Sequence, residues 1–155
     1  MFLDILKFVR LPMVLILIVV IVRLSLGPMG VEYSPRSNAS FSVLMTNIIS
    51  CIYFGALSKK VGGFNWPKTI LMGITLGLFT QILIFSATTI SYLAEIKNSY
   101  FTNWDSLNVA PGTVVPMAAA LKARVGGLIA GPILSTIFVS IGRGLGFFLA
   151  PEPKQ

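Results

Sequence analysis

Residues 70–93 read ILMGITLGLFTQILIFSATTISYL, a run without a single acid or base. A hydrocarbon core of about 30 Å is crossed by about 20 apolar residues in a helix, so this segment is long enough to span a bilayer. Three further stretches share its texture, over 11–27, 41–58 and 125–149. Inside a bilayer every backbone N–H and C=O must be satisfied within the protein, which leaves helices or closed barrels. A barrel shows ten-residue segments of alternating polarity, whereas these runs are apolar throughout. The expected fold is an all-α membrane protein, a polytopic bundle of four transmembrane helices forming one domain over 1–155. Residues 94–124 form a surface loop. Its end, from Pro116 to Arg124, reads as a short interfacial helix or an extension of the fourth span.

Composition agrees with this class. The 155 residues are 55% hydrophobic and 11% charged, against about 25% charged in soluble domains. The net charge of +7 in a soluble chain would raise nucleic acid as a partner. Here the bases sit at span ends, where they set topology and meet anionic lipid, so the expected partner is the bilayer and not nucleic acid. The lone Cys51 falls inside the second apolar stretch and reads as a small buried hydrophobe. Histidine is absent, which removes the commonest metal ligand and proton shuttle. No cofactor or metal is expected.

The first span is expected to open at Pro12, which suits a first helical turn. Its basic start and apolar run resemble a signal peptide, but Arg23 and Pro28 argue for a retained anchor. Arg23 is expected to snorkel to the headgroups. The second span is the most polar, with Ser42, Thr46, Asn47 and Ser50; Ser40 or Asn38 is a candidate cap. Asn47, Cys51 and Gly55 recur at four-residue spacing and mark its packing face. In the third span Gly73, Gly77 and Gln81 share one face, and in the fourth Gly127, Gly131 and Ser135 repeat every four residues. Glycine costs about 1 kcal/mol relative to alanine within a helix, so stripes of it point to close backbone approach between helices. Four short spans carry more small-residue surface than one bundle interior obviously needs. Pro132 interrupts the hydrogen-bond ladder of the fourth span.

Lys and Arg near span ends set orientation. With the N-terminus inside, the inner segments hold Lys7, Arg10, Lys59, Lys60, Lys68 and Lys154, and the outer ones Arg36, Lys97, Lys122 and Arg124. This bias favours N-in and C-in, in a bacterial inner membrane. Three polar residues inside spans are candidates for a role: Asn47 and Gln81, which are at compatible depths for pairing, and Arg143, which either reaches an anion, headgroup or partner, or snorkels. No Asp or Glu lies within a span, which disfavours proton-coupled pumping, and no base or nucleophile is positioned for catalysis. The chain is therefore expected not to be an enzyme. Its main functional reading is a non-catalytic packing, accessory or assembly subunit that meets other membrane subunits or itself through its glycine faces. The alternative is a small transporter or channel component with a polar path near Asn47, Gln81 and Arg143.

Overall fold

The computed structural model describes residues 2–31 and 42–149. The described residues are all helical, with α1 over Phe2–Leu26, α2 over Val43–Lys60, α3 over Trp66–Leu93 and α4 over Met117–Leu149, and a 3-10 turn over Tyr100–Thr102. Phe2–Leu26, Trp66–Leu93 and Met117–Phe148 are each long and apolar enough to cross a membrane. The chain is a multi-pass membrane bundle. α2 has 18 residues, about 27 Å at 1.5 Å per residue, and its polar residues set it apart from the other three.

Two boundaries differ from the sequence expectation. α1 starts at Phe2 and not near residue 11, so Pro12 lies within the helix and is buried. The reason is a stripe at helical spacing, Ile5, Val9, Pro12, Ile16 and Val20, that turns one continuous face to the bundle. Lys7 and Arg10 lie on the opposite, exposed side, and their charge hides the helix from a reading by hydropathy alone. α4 is a single helix of 33 residues, about 50 Å long. The alanine-rich start over Met117–Leu121 is strongly helix-forming and runs unbroken into the apolar part, so of the two readings of this stretch the extension of the fourth span is the one that forms.

Neither Ser40 nor Asn38, which lie outside the described residues, is needed to explain the start of α2. Ser42 is its N-cap, with its hydroxyl accepting from Met45 N at 3.3 Å. Asn65 caps α3 in the same way, accepting from Lys68 N at 3.1 Å, and Pro67 occupies the first turn, where no N–H is required.

The order of packing is α1, then α2 and α3, then α4. α4 has its broadest contacts with α3 and α2 and runs antiparallel to α3 and parallel to α2. Both interfaces depend on missing side chains. A Cβ on Gly73 would lie 2.6 Å from Thr136 Cα, and one on Gly77 would lie 2.6 Å from Pro132 Cα. Along α2, a Cβ on Gly55 would strike the Val139 carbonyl, one on Gly142 the Ile52 carbonyl and one on Gly146 the Ala56 carbonyl. On the far side, α1 closes two apolar clusters. At the lysine-rich end Ile5, Val9, Cys51, Phe64, Met72, Leu76 and Val139 meet, with the Phe8 ring against Phe54 and Phe64. At the other end Ile16, Val20, Val43, Ala87 and Phe101 meet.

Phe101 comes from the 94–116 connection. Within this loop the 3-10 turn dips back, and its phenylalanine is fully buried between α1, α2 and α3. The loop is pinned at Ser91–Ser99 (2.7 Å) and by the Tyr92 hydroxyl donating to Val115 O (2.6 Å). Arg23 is also reassigned. It is 3% exposed, with its guanidinium 4.2 Å from the Tyr100 ring centroid, so it is held by this loop instead of extending to headgroups.

Two substitutions separate packing glycines from incidental ones. Gly142→Ala drives a methyl into the Ile52 backbone, which cannot rotate away, and should cost about 1–3 kcal/mol. At Gly126 a Cβ meets nothing within 4 Å, so Gly126→Ala should be neutral or stabilise by up to about 1 kcal/mol. Unfolding of the two variants in the same detergent checks both signs. Phe101→Ala should cost about 3–5 kcal/mol in the same assay.

Candidate functional site: a polar cavity at the α2–α3–α4 junction

Asn47 is the hub of the buried polar residues. Its amide nitrogen donates to Ser135 Oγ of α4 at 2.8 Å, and its carbonyl oxygen accepts from Thr80 Oγ1 of α3 at 3.2 Å and from the Cys51 thiol at 3.7 Å. The single Thr80 hydroxyl proton is shared between Asn47 and Leu76 O, which lies at 2.8 Å, the back-bond open to a hydroxyl within a helix. One side chain thus joins three helices, level with the middle of α3.

From this junction the helices run on to very different extents toward the 94–116 loop. α2 continues from Asn47 only to Val43, about 6 Å. α3 continues from Thr80 to Leu93, about 20 Å, and α4 extends from Ser135 back to Met117, about 27 Å. A cavity of about 570 Å³ lies above the short end of α2. Its deep wall is Asn47, Gln81 and Ser135, its mouth carries Asp105, Ser106, Asn108 and Arg124, and Leu44 and Leu134 flank it on the apolar side.

Gln81 reaches into this space across the glycines of α4. A Cβ on Gly127 would lie 2.6 Å from Gln81 Oε1, and one on Gly131 would strike Gln81 Cγ. The proposed pairing of Asn47 with Gln81 does not form. Asn47 spends its amide on Ser135 and Thr80, and Gln81 lies in the wall of the same cavity, one residue further along α3. Gly127, Gly131 and Ser135 therefore face α3, α2 and the cavity within the chain, as Gly73 and Gly77 face α4. The idea that these stripes are surplus to one bundle is overturned for these positions.

Arg124 organises the mouth. Its Nε donates to Thr88 Oγ1 (3.2 Å), Nη1 to Ser106 O (3.1 Å), and Nη2 to Phe101 O (3.3 Å) and Ser106 Oγ (3.2 Å). These acceptors are all neutral oxygens. The guanidinium consequently fixes the loop while leaving its positive charge at the cavity entrance, with Asp105 on the same wall.

Arg143 is not part of this cavity. It lies at the other end of α4, and its Nη1 donates to Thr69 Oγ1 (2.5 Å), Phe64 O (2.8 Å) and Ser58 Oγ (3.3 Å). Between the two sites Cys51, Val139, Met72 and Leu76 are buried and apolar. These residues floor the open cavity, while buried Ser50, Ser58 and Thr69 carry the polar network on to Arg143, an arrangement that hints at a polar path.

Nothing in the spacing singles out Arg124 or Phe101. Thr80 reads, with Gln81 and Thr88, as a residue able to line a path between helices, but not as the partner of Asn47 that it is. Arg124 reads as one more boundary charge until the loop folds onto it. Among the described residues no group of His, Cys, Asp and Glu is arranged to hold a metal.

Asn47→Ala and Ser135→Ala should each destabilise the bundle, and a double-mutant cycle should return a coupling of about 0.6–1.7 kcal/mol, the range for interhelical hydrogen bonds in membranes. Zero coupling, measured by unfolding in one detergent, would remove the hub assignment. No protein-family model, curated protein or solved structure matches this chain.

Proposed function

We propose that this protein is a non-catalytic carrier or channel component that admits a small polar solute into the bilayer through the α2–α3–α4 cavity. The observation that carries the reading is the cavity itself: about 570 Å³ of space, walled by Asn47, Gln81 and Ser135 level with the middle of α3. A polar group buried in a membrane is costly unless it is paired or solvated. Asn47 is paired, whereas Gln81 faces a space large enough for water or solute. Arg124 and Asp105 put one charge of each sign at the mouth, which suits a zwitterionic or neutral polar solute better than a simple ion of either sign. The apolar floor at Cys51 and Val139 makes the site one-ended, as expected of one state of an alternating-access device.

We further propose that α2 crosses the membrane as a fourth span, giving N-in and C-in in a bacterial inner membrane. The support is the charge bias. Lys7, Arg10, Lys59, Lys60 and Lys68 collect at one end, with Lys68 joined to Asp4 at 3.8 Å, and the loop with Lys97 lies at the other. The accessory-subunit reading has lost its motivating surface, because the glycine stripes are turned inward. Exposed positions along α4 are instead large aliphatics such as Ile133, Ile137 and Ile141, the texture of a lipid-facing helix.

The single native cysteine makes the test direct. In a Cys51→Ala background, Gln81→Cys should react with a charged, membrane-impermeant methanethiosulfonate at least tenfold faster than lipid-facing Ile137→Cys. The reaction should come only from the side of the 94–116 loop. Equal rates at the two positions would mean that the cavity is dry and the reading wrong.

A further inference from the structure

At the lysine-rich end, Arg143 is flanked by two glycines with opposite surroundings. On one side, a Cβ at Gly142 would collide with the Ile52 backbone; on the other, a Cβ at Gly144 meets nothing within 4 Å. The open side is a recess of about 330 Å³ lined by Lys59, Trp66, Arg143, Gly144, Phe147 and Phe148. Arg143 holds the α2–α3 connection through Nη1 alone. Its Nε and Nη2, three N–H donors in all, have no partner among the described residues. Its charge is 8% exposed and lies 4.7 Å from the Trp66 ring centroid. Lys59 adds a second cation, with Nζ 5.3 Å from the Phe147 ring, and no acid among the described residues lines the recess.

Two cations with unspent donors, facing an acid-free recess, call for an anion. The walls narrow the choice. Trp66, Phe147 and Phe148 are each more than half exposed, and such aromatics sit at the headgroup level of a bilayer. A guanidinium fork matches the two oxygens of a phosphate. We infer that this recess is a binding site for the phosphodiester of an anionic phospholipid in the leaflet at the lysine-rich end, with Arg143 and Lys59 on the phosphate and the aromatics beside the upper acyl chains. The site is separate from the Gln81 cavity and stands or falls without it.

Arg143 itself is a poor probe, because its removal also frees Ser58, Thr69 and the Phe64 carbonyl. Lys59→Ala removes an exposed charge, and Gly144→Leu fills the recess from a position with open space around it. The full chain in mild detergent is titrated with phosphatidylglycerol, with phosphatidylcholine of the same acyl chains and with inorganic phosphate, following the thermal midpoint. Phosphatidylglycerol should raise the midpoint of the parent chain saturably, and the apparent Kd should weaken at least tenfold in both variants. Phosphatidylcholine should be much less effective, and inorganic phosphate should neither stabilise nor compete at millimolar concentration. Equal stabilisation by both lipids, or an unchanged Kd in both variants, overturns the site. Full stabilisation by inorganic phosphate overturns the lipid as its occupant.

Discussion

The approach of the α4 backbone to two neighbours at once is the constraint on which the rest of this bundle depends. Lipid tails are as apolar as leucine, so no hydrophobic force draws helices together once they are inserted. Association then rests on close packing and interhelical hydrogen bonds. Gly73 and Gly77 seat α4 on α3, and Gly55, Gly142 and Gly146 seat it on α2. These contacts place Ser135 within 2.8 Å of Asn47 and bring Arg143 under the α2–α3 connection. A side chain at any of these glycines separates backbone from backbone, where no rotamer change can make room.

The cavity follows from an inequality of helix lengths fixed at that junction. α2 ends one turn above Asn47, and α3 and α4 continue for several turns more. A fourth helix of full length would have filled the gap with side chains and left an ordinary core. The loop instead supplies a partial lid, with Phe101 driven into the apolar cluster on the α1 side and Ser106 held by Arg124 on the cavity side. One short connection thus seals one face of the bundle and frames an opening on the other.

Much of this architecture was legible in the chain because a bilayer imposes simple rules. Length and the absence of charge located the long helices, and glycine at four-residue spacing in α3 and α4 marked faces that do lie at helix contacts. Periodicity names a face but not its partner, so the stripes were read as surplus surface when they serve the bundle itself. Asn47 and Gln81 stood out as amides in apolar runs, and both do line the cavity. Their expected pairing fails because Thr80 and Ser135, the latter read only as a helix-packing residue, satisfy Asn47 first. Hydropathy failed in two places for one reason. In residues 2–10 and around Phe101, a few charged or polar neighbours hide apolar residues that only the folded geometry aligns.

The polarity of α2 has a consequence for how the chain enters the membrane. Asn47, Ser50 and Ser58 make it a weak candidate to partition into lipid by itself, at a cost that apolar neighbours must offset. Thr80 becomes available with the next helix, but Ser135, Gly142 and Gly146 emerge from the ribosome only with the last. α2 is thus the second helix to be synthesised and among the last to be secured, and until α4 arrives it depends on an incomplete set of partners. The helix that satisfies most of the polar and small residues of α2 is thus the one synthesised last, and the junction around Asn47 is complete only when the whole chain is made.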